Sequence, residues 1–152
     1  MNETMRLFTG IQEEPLDVNA WLEQIGDSTH GATSMFLGTV RNHDPQAGDQ
    51  GVTGIEYSAH PDATEILQQE VCATVDEVLG TGEASRPLTV VAIHRVGKIA
   101  VGEAAMLVIV SGAHRNPSME LVPAIVERIK ATIPVWKKQS LDDGSTKWSN
   151  LP

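Results

Sequence analysis

Hydrophobic and polar positions recur with a changing period along the chain, and each change of period marks an element. Residues 5–11 carry a short strand pattern. From 17 to 25, Val18, Trp21, Leu22 and Ile25 recur at helical spacing behind Asp17, whose carboxylate can cap the first free amides. Residues 31–41 (GATSMFLGTVR) predict a strand that runs into NHDPQAGDQG, a loop too hydrophilic for a core. A further strand is predicted over 52–60, then a helix from 61 to about 79, where Pro61 fits a first-turn position that needs no amide donor. Ile66, Leu67, Val71, Val75, Val78 and Leu79 form its apolar side. The stretches 88–96 and 103–113 are almost continuously apolar, as strands buried on both faces are, and so form the centre of the sheet. Between them VGKIAVGE reads as a turn.

A last helix is predicted over 117–133, with Val122, Ile125, Val126, Ile129 and Ile133 on one side and Asn116 as its cap. Pro123 removes one backbone hydrogen bond, so this helix either kinks there or has its regular part nearer Glu120. PVWKKQSL, a DDG turn and STKWSN then make a terminal hairpin. Elements interspersed in this way predict an α+β fold with a mixed or antiparallel sheet. Without an internal repeat or a Ser/Gly/Pro linker, residues 1–152 are expected to form one domain.

Composition narrows the function. A chain of 152 residues, 41% of them hydrophobic, buries a sufficient core without a disulfide or metal staple. Cys72, the one cysteine, excludes an intramolecular disulfide and every CxxC pattern. A net charge of -9 argues against a general nucleic-acid or anionic-membrane binder. The N-terminus shows no charged-then-apolar signal pattern and no apolar run approaches a membrane span, so the expected compartment is the cytoplasm. Six of the eleven cations (Arg115, Arg128, Lys130, Lys137, Lys138 and Lys147) lie between 115 and 147. That clustering fits either a solvated face or a site for a small anion.

Individual residues sharpen the second reading. Lys130 falls on the margin of the apolar stripe of the last helix, as a snorkelling side chain or as a half-buried amine fit for acid, base or nucleophilic work. Lys137 and Lys138 are consecutive in an extended segment, so one faces inward and one outward, and Trp136 is either core or a lid for a flat ring. His114 and Arg115 stand where a strand ends and a helix begins, a place where anions gather. Arg41 ends its strand at the polar loop. His94 and Arg95, inside a strand, read as structural with one side chain on each face; His43, Asp44, His60 and Asp62 read as solvated loop residues rather than metal ligands. Cys72 lies mid-helix without a cation to activate it. No HExxH, GxSxG, GxxxxGK[ST] or helix-opening GxGxxG is present.

Taken together, GATSMFLGTVRNHD, IEYSAHP, VAIHRVGKIAVGE, VIVSGAHRNP and IKATIPVWKKQ, in this order over residues 5–149, resemble the large, catalytic subunit of molybdopterin synthase. The resemblance implies an α/β-hammerhead fold with an added β-rich portion, and a homodimer with one small ubiquitin-like sulfur carrier docked on each copy. The carrier's C-terminal thiocarboxylate would place two sulfurs on cyclic pyranopterin monophosphate, forming the dithiolene of molybdopterin. By position, Thr39, Val40 and Arg41 would line the substrate pocket, and His114 and Arg115 would bind the phosphate region from the neighbouring subunit. Lys130 would be the principal catalytic lysine and Lys137 the second, with Lys138 and Gln139 along the wall. No metal, cofactor or thiol is required of this subunit. The chain departs from the commonest family pattern at NPSME (Ser118 and Met119 where Ala-Phe is usual), at Gln139 in place of Glu, and at His60 in place of Tyr. The alternative on the same fold is a non-catalytic module that binds an anion or docks a partner.

Overall fold

The computed structural model describes residues 5–48, 50–80 and 87–149. In chain order the elements are β1 (Arg6–Gln12), α1 (Val18–Gln24), β2 (Ala32–Thr39), β3 (Val52–Ala59), α2 (Ala63–Leu79), β4 (Leu88–Arg95), β5 (Gly97–Ala100), β6 (Ala104–Gly112), α3 (Arg115–Thr132), β7 (Val135–Leu141) and β8 (Thr146–Ser149). They build two four-stranded sheets, ordered β1-β4-β6-β2 and β5-β3-β7-β8. In the first, β1 and β4 run parallel and the other neighbours antiparallel; the second is antiparallel throughout. This is the expected α+β class.

β4 and β6 lie at the centre of the first sheet, and their alternate residues feed two cores. Val90, Ala92, Val108 and Val110 pack under α2 and α3, against Leu67, Val71, Leu121 and Ile125. Val91, Ile93, Leu107 and Ile109 face the opposite way, toward Trp21 and Ile25 at α1 and Phe8 of β1. A strand that must be apolar on both sides cannot alternate, which is why these stretches read as continuous. Each such side chain stabilises the fold by roughly 1.5–3 kcal/mol. A third cluster, Val40, Val52, Ile55, Ile99, Ala105 and Leu141, belongs to the second sheet and its junction with the first.

Several local expectations are corrected. VGKIAVGE is not one turn: Gly97 and Gly102 take φ of 87° and 89°, and Gly97–Ala100 pair with β3 as β5. Glu103 closes this loop by accepting from the Ala100 amide at 2.9 Å and from Arg95. Helix α2 begins at Ala63, so Pro61 precedes it instead of occupying its first turn. Helix α3 begins at Arg115 with His114 at the cap position and no side-chain cap, so Asn116 does not cap it. Ser118 is fully buried there, donating to the Arg115 carbonyl at 3.0 Å and accepting from the Ser34 hydroxyl at 3.2 Å. Pro123 stays inside an unbroken helix because it sits on the exposed side, where water can serve the carbonyl it leaves unpaired. Asp17 does cap α1, accepting from the Ala20 amide at 3.0 Å.

Candidate active site

The register of β2 against β6 slips between Gly38 and Thr39. That irregularity turns the chain as it leaves the first sheet, sending Val40 into the junction core and leaving Arg41 exposed. Opposite it, the last turn of α3 brings Lys130 forward, a favourable place for a cation at the negative end of the helix dipole. Between them lies a cavity of about 150 Å³, lined by Thr39, Val40 and Arg41, by Tyr57 of β3, His94 of β4 and Met106 of β6, and by Lys130, Lys137 and Gln139. A second, wider hollow of about 600 Å³ shares Arg41, Tyr57, His94, Lys130 and Lys137 and extends along Ile129 to Val135.

Strand alternation in β7 decides which of its side chains reach the cleft. Lys137 and Gln139 do. Their common partner is Asp44, whose Oδ2 lies 3.6 Å from the Lys137 ammonium and accepts from Gln139 Nε2 at 2.5 Å. The side chains of Lys137 and Asp44 are only 17% and 12% exposed. Gln139 is buried, and its Oε1 has no partner among the described residues. Lys138 points to the other face, 3.6 Å from Glu56 and 5.4 Å from the Trp148 ring, so it is not part of the cleft wall. Trp136 shares the face of Lys138 and stands beside His60, which removes it as a lid over this cleft.

The remaining expected residues divide further. Lys130 is exposed at the cleft mouth and is not the half-buried amine that its place beside the stripe implied. His114 and Arg115 are exposed at the opposite end of α3, where they line a separate concavity with Gly31, Ala32 and Ala113. Fifteen residues of helix at 1.5 Å each put Arg115 and Lys130 about 22 Å apart along the axis. Within one chain, then, the structure joins Thr39, Val40, Arg41, Lys130, Lys137 and Gln139 and leaves His114 and Arg115 elsewhere.

The family model described as MoaE protein matches residues 11–132. The chain belongs to the MoaE family. It is 34% identical over 145 residues to the molybdopterin synthase catalytic subunit of Dictyostelium discoideum, covering 95% of this chain and 87% of that one. Among solved structures it superposes on molybdopterin synthase from Staphylococcus aureus with a TM-score of 0.77 at 27% identity, over 91% of this chain and 94% of the other. A complex of subunits 1 and 2 of molybdopterin-converting factor from Helicobacter pylori has the same fold, with a TM-score of 0.67 at 17% identity over 95% and 89% of the two chains.

In this MoaE-family chain, His43, Asp44 and His94 also line the cleft. Asp44 is not a merely solvated loop residue, since it organises Lys137 and Gln139. His94 is more than a structural strand residue, since it faces the cleft. Its Nδ1 lies 2.7 Å from the Arg95 carbonyl and its ring meets Tyr57 edge-on at 4.9 Å. Burial lowers the His94 pKa below its usual value, and the Lys130 charge adds to this against the opposing carbonyl bond. Burial pushes the Tyr57 hydroxyl up. Arg95 is structural as expected, on the other face, donating to the Glu13 carbonyl at 3.1 Å and paired with Glu103. Burial, then Asp76, raises the Cys72 thiol, the opposite of activation. No helix among the described residues is long and apolar enough to cross a membrane.

Proposed function

We propose that this chain is the catalytic subunit of a molybdopterin synthase. It transfers sulfur from the C-terminal thiocarboxylate of a small ubiquitin-like carrier to cyclic pyranopterin monophosphate, as a cytoplasmic enzyme that works as one domain. The observation that carries the reading is the convergence of Arg41, Lys130 and Lys137 on one cleft in a chain of this family. A phosphate and a developing negative charge need cations already in position, and a guanidinium offers phosphate a two-pronged fork. Lys137 is anchored by Asp44, whereas Lys130 is exposed at the cleft mouth, so Lys130 is the proton-transferring amine and Lys137 the fixed cation.

The hollow along Ile129 to Val135 is the path for the carrier's extended tail. His114 and Arg115 serve the cleft of a second copy, within a homodimer that carries two small subunits as a heterotetramer. Met35 and Leu37 support that assembly: they are 45% and 38% exposed on edge strand β2, the strand that begins beside the His114–Arg115 concavity. The test is reconstitution with thiocarboxylated carrier and cyclic pyranopterin monophosphate, reading molybdopterin by fluorescence after oxidation. Native chain should form product and Lys130→Ala should not while remaining folded. A folded native chain that binds carrier but makes nothing would overturn the proposal in favour of a docking module.

A further inference from the structure

A thiocarboxylate that gives up its sulfur must take an oxygen in exchange, and where its acyl carbon is left bonded to the transferred sulfur, water supplies that oxygen. The sulfur-transfer reading therefore contains a hydrolysis: once the sulfur is bonded to the pterin carbon, the carrier is still joined to it through a thioester. A water must lose a proton as its oxygen adds to that carbonyl, and some group in the cleft must accept it.

The cleft offers few acceptors. Arg41, Lys130 and Lys137 are cationic donors. His43, also on the cavity wall, is an exposed loop side chain whose Nδ1 lies 3.0 Å from the Asn42 side-chain oxygen, with no strand or ring among the described residues packed on it to fix its plane. The Oδ2 of Asp44 already holds Gln139 and lies beside the Lys137 ammonium. Tyr57 is held in its neutral, protonated form by burial, and the free oxygen of Gln139 is an amide acceptor, not a base. Arg95, the charged neighbour on β4, is turned away toward Glu13 and Glu103.

His94 is different. Its Nδ1–H donates to the Arg95 carbonyl at 2.7 Å, which fixes the tautomer and leaves Nε2 as the unprotonated nitrogen. Tyr57 packs edge-on against the ring and holds its plane, and the ring lines both the cavity and the hollow beside it. We propose that His94 is a further catalytic residue of this site, the general base for the water that releases the carrier.

The step balances. A water O–H gives its proton to Nε2, the oxygen bonds to the carbonyl carbon, and the C–S bond breaks with its electron pair kept by the sulfur now on the pterin. The carrier leaves as a carboxylic acid, which gives its remaining O–H proton to solvent and becomes the carboxylate. Lys130 and Lys137 stabilise the thiolate, and the imidazolium returns its proton to solvent. Nothing is oxidised or reduced. A neutral base beside a cationic acid is the division of labour that acid–base chemistry at one site requires, and burial together with the Lys130 charge keeps the imidazole neutral.

His94→Asn is the test, because the asparagine amide can still donate to the Arg95 carbonyl while the basic nitrogen is lost. In a single turnover with thiocarboxylated carrier, the folded variant should release product on the order of 100-fold more slowly. Intact-mass measurement should show a covalent carrier–pterin adduct that the native chain does not accumulate. His94→Gln is the second variant should His94→Asn fail to fold. Independently of turnover, ¹⁵N NMR of the native chain should show the proton on Nδ1 near neutral pH and a His94 titration that moves upward in Lys130→Ala. Release at the native rate without adduct, or a proton resident on Nε2, would overturn the assignment. A native chain that forms no product would refute the sulfur-transfer reading itself, and so the two failures are distinguishable.

Discussion

Asp44→Ala removes one carboxylate from two partners that approach it from a strand 95 residues away in sequence. Gln139 is 1% exposed, so its Nε2 would lose its acceptor where water cannot replace it, a loss of about 1–3 kcal/mol. The Lys137 pair is set 3.6 Å apart at the cleft edge and contributes about 1 kcal/mol, well below a fully buried pair. The sum is about 3 kcal/mol, which for a chain of this size lowers Tm by roughly 6–12 °C. Asp44→Asn separates the parts: its amide oxygen still accepts from Gln139, so only the ionic part, about 1 kcal/mol, should be lost. Urea unfolding of native, Asp44→Ala, Lys137→Met and Asp44→Ala/Lys137→Met chains measures all four corners of the pair, with Asp44→Asn beside them. Two results would refute the reasoning. One is an Asp44→Ala chain within about 0.5 kcal/mol of native, the scatter of an ordinary surface substitution. The other is an Asp44→Asn chain as unstable as Asp44→Ala, which would make charge, not the Gln139 hydrogen bond, the main contribution.

The opposite faces of Lys137 and Lys138 predict opposite kinetic outcomes: Lys137→Ala should lower kcat/KM on the order of 100-fold, and Lys138→Ala should leave it within about twofold, measured in the reconstituted reaction. Equal losses would place both amines at the chemistry. The buried His94 also predicts a pH dependence. Its folded-state pKa lies below the 6.5 of a free histidine, so the unfolded chain binds the extra proton first. The stability that His94 contributes is therefore complete above pH 6.5 and is lost as pH falls from there through the folded value. Denaturant midpoints between pH 7.5 and 5 should fall more steeply for the native chain than for His94→Asn, and parallel slopes would contradict a neutral buried imidazole.

Much of the fold was legible because it rests on local period. The two central strands announced themselves by lacking alternation, since each residue had a core to enter on its own side. Asp17 carried its capping role in its own position. What stayed hidden depends on partners far along the chain or on backbone freedom. The four residues of β5 open on one glycine of positive φ, Gly97, and end two residues before another, Gly102, a composition that also describes a turn. At the site, alternation alone separated Lys137 from Lys138, and the placement of Lys138 on the wall, which only the resemblance implied, is the part the geometry reverses. Asp44 was lost in a hydrophilic loop because local hydrophilicity says nothing of a lysine on β7, and His94 because its strand face was predictable but the cleft beyond that face was not.

Helix α3 sets the scale on which the site must be assembled. Its N-terminal end, with free amides and Arg115, suits an anion, and its C-terminal turn carries Lys130 into the cleft. The about 22 Å between them is fixed by an unbroken helix, packed through Leu121, Ile125 and Ile129 into the largest core, so no local adjustment of one chain can close it. A small cyclic phosphate held in the Lys130 cleft therefore cannot reach Arg115 of the same chain. If Arg115 acts on that substrate, it does so from a second copy, and the two populations can be mixed to prove it. Chains carrying Lys130→Ala and chains carrying Arg115→Ala, each impaired alone, should recover activity on co-assembly, because a mixed dimer contains one cleft with both residues intact. Failure to recover in dimers shown to be mixed would confine the substrate to the residues of a single chain and leave the His114–Arg115 concavity with a different task.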